Sequence, residues 1–270
     1  MSEPESQAGE WNPELYRRFE DERTRPAREL LARVALAHAE LGRPAQVYDL
    51  GCGPGNSTEL LAARFDGARI VGTDNSEAML AGARARLPRC TFELSDIADW
   101  QPDSAADLIY SNAALQWVGG HETLIPRLFA QLAPGGILAI QMPDNRDEAT
   151  HRSMREVASL APFSALIGEG ASVRTQVLPL TDYYDLLAPG AAEMDVWRTA
   201  YQHPMESPAK IVEWLRGTGL KPFIDPLPAG ERAAFLAEYE SRIAKAYPPR
   251  ADGRLLLGFP RMFMVARRAA

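Results

Sequence analysis

The chain has 270 residues, of which 46% are hydrophobic and 24% charged, as in a globular protein with one sizeable core. Its net charge of -7, without a basic stripe carrying interleaved aromatic residues, disfavours nucleic acid as a partner. No segment approaches the roughly 20 consecutive apolar residues that cross a bilayer, and two cysteines are too few for a disulfide framework. We therefore predict a cytoplasmic protein whose partners are small molecules.

The first half of the sequence alternates between the periods of strands and helices. Residues 1–10 are polar and aperiodic, and we predict them to be disordered. Apolar residues at helical spacing predict a helix over 26–41, with Pro26 near its first turn and Gly42 as its stop. Strands are then predicted at 46–50, 69–73, 91–94, 107–110 and 137–141, and helices at 57–65, 76–86 and 124–132. A turn over 134–136 precedes the fifth strand.

The second half is less regular. Helices are predicted at 150–160, 207–216 and 230–247, and strands at 195–201 and 261–267 complete the sheet. This alternation indicates an α/β fold with a mostly parallel sheet and an antiparallel last strand. Open α/β sheets bind ligands at the carboxyl ends of their strands. We predict one domain over 11–270, in which segment 11–42 and insertions 143–192 and 203–258 are helical elements covering that edge and the substrate.

A glycine-rich turn, DLGCGPGNST, follows the first strand and contains Gly51, Gly53 and Gly55. Glycines allow positive φ angles and let a ligand approach the backbone closely. The dinucleotide fingerprint would need a further glycine where Asn56 stands. Asp49, before the first glycine, would repel a pyrophosphate but attract a ligand with an ammonium and a sulfonium group. S-adenosylmethionine carries both groups, so we predict it as the cofactor.

Two more acids follow the next two strands. Asp74 can accept hydrogen bonds from both ribose hydroxyls, and Asp96 can accept one from the adenine amino group while Ile97 packs on the ring. A turn or a helix cap explains any one of these acids equally well. Acids at the ends of three successive strands make the cofactor interpretation specific.

The motifs DLGCGPGNST, GTDNSEAML and SDIADWQP resemble, in order, those of the class I methyltransferases, which have a Rossmann-like sheet. The segments WNPELYRRFEDERTRPARELL, SNAALQWV, IQMPDN, MREVA and FPRMFMVARR are similar to the trans-aconitate 2-methyltransferase family. This resemblance runs from about Trp11 to Arg268. It implies methylation of a carboxylate of trans-aconitate, which gives a monomethyl ester and S-adenosylhomocysteine.

The resemblance also implies roles for residues at two strand ends. Asn75 and Asn112 are expected to contact the cofactor, and Gln116 and Trp117 to position the reactants. A carboxylate acceptor is already ionised near neutral pH, so no residue is predicted to act as an acid or base. Because the charges of sulfonium and carboxylate cancel during transfer, a site that excludes water favours the reaction.

The other carboxylates of a tricarboxylate need arginine and hydroxyl donors. Surface ion pairs explain the arginines as readily, and packing explains the tyrosines. The histidine candidates lie in loops after strands, and Asn145 follows the fifth strand. The predicted substrate-binding residues are Tyr16, Arg23, Gln116, Trp117, His121, Asn145, His151, Tyr183 and Arg261.

Three alternatives remain open. A methyltransferase of the same class could act on another small carboxylic acid or on an oxygen or nitrogen acceptor, in which case His121 or His151 would serve as a base. An NAD-dependent oxidoreductase is disfavoured by Asp49 and by the missing glycine. A non-catalytic cofactor-binding module is the third alternative. Neither histidine spacing nor cysteine spacing suits a metal, so none is predicted, and the oligomeric state is left open.

Overall fold

A seven-stranded sheet organises the chain in a computed structural model, which describes residues 20–36, 40–168 and 177–270, with side chains from residue 24 onward. The strands are β1 (Gln46–Leu50), β2 (Arg69–Asp74), β3 (Thr91–Leu94), β4 (Ala106–Asn112), β5 (Leu132–Pro143), β6 (Ala191–Met205) and β7 (Leu255–Arg268). Their order across the sheet is β3-β2-β1-β4-β5-β7-β6. β1 to β5 pair in parallel, and β7 pairs antiparallel with β5. The predicted sheet with its antiparallel last strand is confirmed.

Ten α-helices lie among the described residues. They are α1 (Glu20–Ala32), α2 (Asn56–Arg64), α3 (Glu77–Arg86), α4 (His121–Ala130), α5 (Ala149–Ala158), α6 (Phe163–Ile167), α7 (Leu180–Leu187), α8 (Pro208–Arg216), α9 (Lys221–Ile224) and α10 (Ala229–Ala246). Within the described ranges, none of these helices is both long and apolar enough to span a membrane.

The central strands are buried along nearly their whole length. Leu50, Val71, Ile109, Ile140 and Met264 belong to one core cluster and are at most 1% exposed. Such continuous apolar strands are typical of a parallel sheet that is packed on both faces. α1 packs against α2 and β5, while α4 packs against β5 and α7.

The described chain divides into two compact units. The larger unit holds residues 20–36, 40–143, 177–199 and 261–270. The smaller unit holds residues 144–168 and 200–260. In the smaller unit, α10 packs against α5 and α8. Phe163 and Phe235 meet there edge to face with ring centroids 5.3 Å apart, and Tyr239 and Ile243 are fully buried.

The first helix differs from its prediction. It begins at Glu20 and ends at Ala32, so Pro26 lies inside the helix rather than near its first turn, and Gly42 is not its stop. The amide of Val34 bonds to the carbonyl of Leu31, three residues back, which tightens the last turn. Just beyond it, Arg33 pairs with Asp195 at 2.8 Å and lies over the ring of Trp197. These contacts with β6 are long-range, and helical periodicity could not reveal them.

Other differences concern short elements. The predicted turn at 134–136 lies within β5, where the pairing with β4 shifts register and Gly135 has a φ of +74°. The helices α6, α7 and α9 were not predicted, because four to eight residues hardly establish a period. β6 and β7 are longer than predicted at both ends.

An ion pair between the exposed Arg43 and the buried Asp107 holds the amino ends of β1 and β4 together. Asp107, 3% exposed, accepts two hydrogen bonds from the guanidinium of Arg43 at 2.7 and 2.9 Å. It also accepts one from the amide of Gln46 at 2.8 Å. The Arg69–Asp103 pair, by contrast, joins two exposed side chains at 3.0 Å.

We expect Asp107→Ala to lower the free energy of unfolding by about 2 kcal/mol, because the guanidinium of Arg43 and the amide of Gln46 lose their shared charged acceptor. The control Asp103→Ala should cost less than about 1 kcal/mol, as expected for an exposed pair. Urea denaturation of both variants measures the difference. Equal losses would contradict the anchoring role of Asp107.

Candidate functional site

The glycine-rich turn connects β1 to α2. Gly51 and Gly55 have φ angles of +72° and +92°, in the left-handed region that favours glycine. A Cβ atom at Gly51 would lie 2.2 Å from the Cβ of Ala114, so only glycine fits at this position. The amides of Gly51 and Cys52 donate to the carbonyl of Thr73 at 2.8 and 2.9 Å. These bonds hold the turn against the carboxyl end of β2.

Asp49 lies in β1, two residues before Gly51, and has no solvent exposure. Its Oδ2 accepts hydrogen bonds from Ser57 Oγ at 2.7 Å and from Thr58 Oγ1 at 2.6 Å. Its Oδ1 is buried and has no hydrogen-bond partner among the described residues. Burial raises the pKa of Asp49 to about 6. The two hydroxyl donors lower this pKa, and the negative charge of Asp74 adds a smaller increase. The unsatisfied oxygen suits a cationic donor.

Asp74 ends β2 and is partly buried. Its Oδ2 accepts from the amide of Gly53 and its Oδ1 from the amide of Ser76, both at 2.9 Å. Burial raises the pKa of Asp74, and these backbone donors oppose the shift. Each carboxylate oxygen can accept a second hydrogen bond, so the side chain can still bind a ligand. Asn75, the next residue, is exposed.

The loop after β3 contains the third predicted acid. Asp96 is exposed, and its Oδ1 accepts from the amide of Ala98 at 2.8 Å, which is a turn contact. Ile97 is buried in the core. Arg127 of α4 donates to the carbonyls of Ile97, Ala98 and Trp100 at 2.6 to 2.9 Å. Sequence analysis missed this arginine, because it belongs to a helix about thirty residues further along the chain.

The last residue of β4 and the turn after it carry two polar side chains with unsatisfied atoms among the described residues. Asn112 ends the strand, and its Oδ1 is buried with no hydrogen-bond partner in the described part of the chain. Gln116 donates from Nε2 to the carbonyl of Ala113 at 2.6 Å, while its Oε1 is buried and equally unsatisfied. Ala113 has a φ of +55°, an uncommon angle outside glycine that is found often at functional sites. Trp117 is half-buried beside them.

His121 and Tyr183 form a buried pair in the larger unit. The Nε2 of His121 lies 2.9 Å from the carbonyl of Leu115, which can only accept, so Nε2 carries the proton. Nδ1 therefore accepts from the hydroxyl of Tyr183 at 2.5 Å. That hydroxyl also accepts from the amide of Leu178 at 3.2 Å. Burial lowers the pKa of His121, and both ring nitrogens are engaged, so the ring is not poised as a base.

Arg261 lies on β7 and is only 4% exposed. Its Nη1 donates to Oε1 of Gln141 at 3.3 Å. Gln141 lies on β5 and is fully buried. The sequence analysis missed Gln141, because the two residues are 120 positions apart and Gln141 was assigned only to a strand. No local pattern signals such a contact.

Four predicted substrate-binding residues remain. Asn145 and His151 belong to the smaller unit and are both buried, and Nδ1 of His151 lies 3.1 Å from Thr150 Oγ1. Tyr16 and the side chain of Arg23 lie outside the described residues. Within the described ranges, no group of three or more histidine, cysteine or acidic residues could hold a metal ion.

Comparisons with known proteins agree with this geometry. A family model described as "Methyltransferase domain" matches residues 47–136, from β1 into β5. A solved structure, the phosphoethanolamine N-methyltransferase 2 of Haemonchus contortus in complex with phosphomonomethylethanolamine and S-adenosylhomocysteine, superposes with a TM-score of 0.54 at 18% identity. The match covers 91% of this chain and 53% of that one. It supports the fold alone.

Curated relatives are far more similar. The trans-aconitate 2-methyltransferase of Variovorax paradoxus (strain S110) is 68% identical over 262 residues, which cover 97% of this chain and 99% of the relative. The enzyme of the same name from Paracidovorax citrulli (strain AAC00-1) is 67% identical, with the same two coverages. Because this identity extends over nearly the whole length of both chains, the chain belongs to the trans-aconitate 2-methyltransferase family.

Proposed function

We propose that the chain transfers a methyl group from S-adenosylmethionine to a carboxylate of trans-aconitate, giving a monomethyl ester and S-adenosylhomocysteine. The observation that carries this proposal is the 68% identity over 97% of the chain to a relative of that name. The acceptor is a small-molecule tricarboxylate, and the cytoplasm as the place of reaction stays a prediction.

The turn after β1 fits the proposed cofactor. When bound, S-adenosylmethionine supplies a methyl group activated by a sulfonium. The unsatisfied Oδ1 of Asp49 would accept from the ammonium of its amino acid part. At Gly53 a Cβ would meet no described atom within 4 Å, so a ligand can approach the backbone there. Asp74 and Asn75 would hold the ribose, and Asp96 with Ile97 the adenine.

The chain's part in the reaction is to bind, orient and exclude water. A carboxylate acceptor needs no deprotonation near neutral pH, so the absence of a poised base at His121 is compatible with the proposal. Asn112, Gln116 and Trp117, at the end of β4, would position the reactants. Alignment of two reactants can lower a barrier by about 7–11 kcal/mol when their geometry is productive.

The direct test is an assay of the purified chain with S-adenosylmethionine and each of trans-aconitate, cis-aconitate, citrate and isocitrate. We expect the highest kcat/KM with trans-aconitate, measured as methyl ester by mass spectrometry and as S-adenosylhomocysteine released. If no tricarboxylate is methylated, the proposed substrate is wrong. Cofactor affinity, measured separately, would then still test the cofactor site.

Cofactor affinity should depend on pH through Asp49. Burial raises the pKa of its carboxyl to about 6 in the unliganded chain, and only the ionised form attracts an ammonium. Affinity for S-adenosylhomocysteine should therefore be constant above pH 7 and fall by up to about tenfold per pH unit below pH 6. Calorimetric titrations between pH 5 and pH 8 measure this. Asp49→Asn should bind weakly and lose the dependence, whereas a flat profile in the unmodified chain would contradict the assignment.

Asp74→Ala should weaken binding of S-adenosylhomocysteine by about 1.5–3 kcal/mol, the range for lost hydrogen bonds to a charged group. Glu77→Ala is the matched control, since its exposed carboxylate pairs with Arg84 just beyond the same strand end. Calorimetry compares the two variants. Equal affinities would contradict the ribose-binding role of Asp74.

A further inference from the structure

Strand register brings polar side chains from four strands onto one face of the sheet. Asp49 on β1 pairs with Tyr110 on β4, and Asn112 on β4 pairs with Gln141 on β5. Partner residues on adjacent strands, and residues two apart on one strand, point to the same face. Arg261 on β7 pairs with Pro143, two residues after Gln141, and so shares this face. We call Asp49, Asn112, Gln141 and Arg261 the polar row.

The amide of Gln141 is half satisfied. Its Oε1 accepts from Nη1 of Arg261, and its Nε2 is buried with no hydrogen-bond partner among the residues that the structure describes. The orientation of the amide is set by this contact, because a guanidinium has only donors and must face the oxygen. A buried N–H donor is therefore held in place by Arg261 and lacks an acceptor within the described ranges.

The polar row changes its hydrogen-bonding character along its length. At β1 and β4, the unsatisfied atoms are the oxygens of Asp49 and Asn112, which accept. At β5 and β7, the groups are Nε2 of Gln141 and the guanidinium of Arg261, which donate. Oxygens suit a ligand's ammonium, and N–H donors suit a carboxylate.

We propose that Gln141 and Arg261 bind a carboxylate of the methyl acceptor, and this inference rests on the proposed function. The cofactor's own carboxylate is the other anion available. An α-amino acid carries its ammonium and carboxylate on one carbon, whereas β1 and β5 are two strand spacings, about 10 Å, apart. A cofactor whose ammonium lies at Asp49 therefore leaves the donors on β5 and β7 for the acceptor.

The test compares Gln141→Met, which keeps the length of the side chain but removes the amide, with Gln141→Glu. Trans-aconitate is titrated calorimetrically into each variant saturated with S-adenosylhomocysteine, and kcat and KM are measured alongside. Gln141→Met should raise the Kd and KM for trans-aconitate by about 10- to 100-fold, as expected for a lost hydrogen bond to a charged group. In Gln141→Met, the affinity for S-adenosylhomocysteine should change less than about twofold. Gln141→Glu should bind trans-aconitate more weakly than Gln141→Met does, because its negative charge repels the ligand.

Gln131→Met is the matched control, because Gln131 immediately precedes the amino end of the same strand and, like Gln141, has a buried amide atom without a hydrogen-bond partner among the described residues. It should leave acceptor binding unchanged. Arg261→Lys keeps the positive charge and gives a second measurement if Gln141 variants fold poorly. It should raise the Kd for trans-aconitate at least about tenfold, since lysine lacks the fixed fork of donors.

Each other outcome overturns the inference. If Gln141 only supports Arg261, Gln141→Glu should restore acceptor binding relative to Gln141→Met, because a carboxylate accepts from a guanidinium at least as well. If S-adenosylhomocysteine binding falls while acceptor binding holds, the donors serve the cofactor. If the unmodified chain methylates trans-aconitate and Gln141→Met does so with an unchanged KM, this inference is wrong and the proposed function stands. An unmodified chain that neither binds nor methylates trans-aconitate overturns the proposed function as well.

Discussion

The carboxylate of Asp49 is the constraint on which the candidate site depends. Removing a charge from water is costly, and the rise of its pKa to about 6 reflects that cost. The hydroxyls of Ser57 and Thr58, at the start of α2, donate to one oxygen, and the other has no hydrogen-bond partner in the part of the chain that the structure describes. Ser57 and Thr58 come directly after the glycine-rich turn, so the path of the turn determines where their hydroxyls meet the buried charge of Asp49. A change in the turn would alter the electrostatics, and a change at Asp49 would remove what anchors the turn to β1.

The second acid connects the same turn to the neighbouring strand. Asp74 accepts from the amide of Gly53 while ending β2, so the carboxylate that shapes the turn is also the one that we propose to hold the ribose. Thr73 adds two backbone contacts to the same turn. A structural and a binding role are therefore not alternatives for Asp74. Cap and turn contacts explain its backbone partners, and its remaining lone pairs are what a ligand would use.

Local sequence patterns predicted those features that depend on neighbours in the chain. The strands of the parallel sheet were found because each is a short apolar run, and Asp49 and Asp74 because each stands beside a strand end. Arg127, Gln141 and the His121–Tyr183 pair depend on contacts between residues 27 to 120 positions apart, so no period or motif reveals them. The end of α1 was misplaced for the same reason, since Arg33 leaves the helix to contact Asp195 and Trp197. The resemblance of the sequence motifs indicates the family, but only the register of the paired strands shows which polar side chains lie on the same face of the sheet.

That register also suggests why the proposed acceptor-binding pair combines one charged donor with one neutral donor. Transfer of a methyl cation equivalent to a carboxylate cancels a positive and a negative charge as the transition state forms. Groups that stabilise the separated anion more than the neutralised transition state slow such a reaction. If the carboxylate at this pair is the one that is methylated, a second guanidinium on β5 would bind it more tightly but would also raise the barrier to transfer. The amide of Gln141 can orient a carboxylate through one hydrogen bond while adding no net charge. On this argument, tight binding of the acceptor and fast transfer make opposing demands on the carboxyl end of β5, and a glutamine meets both better than an arginine would.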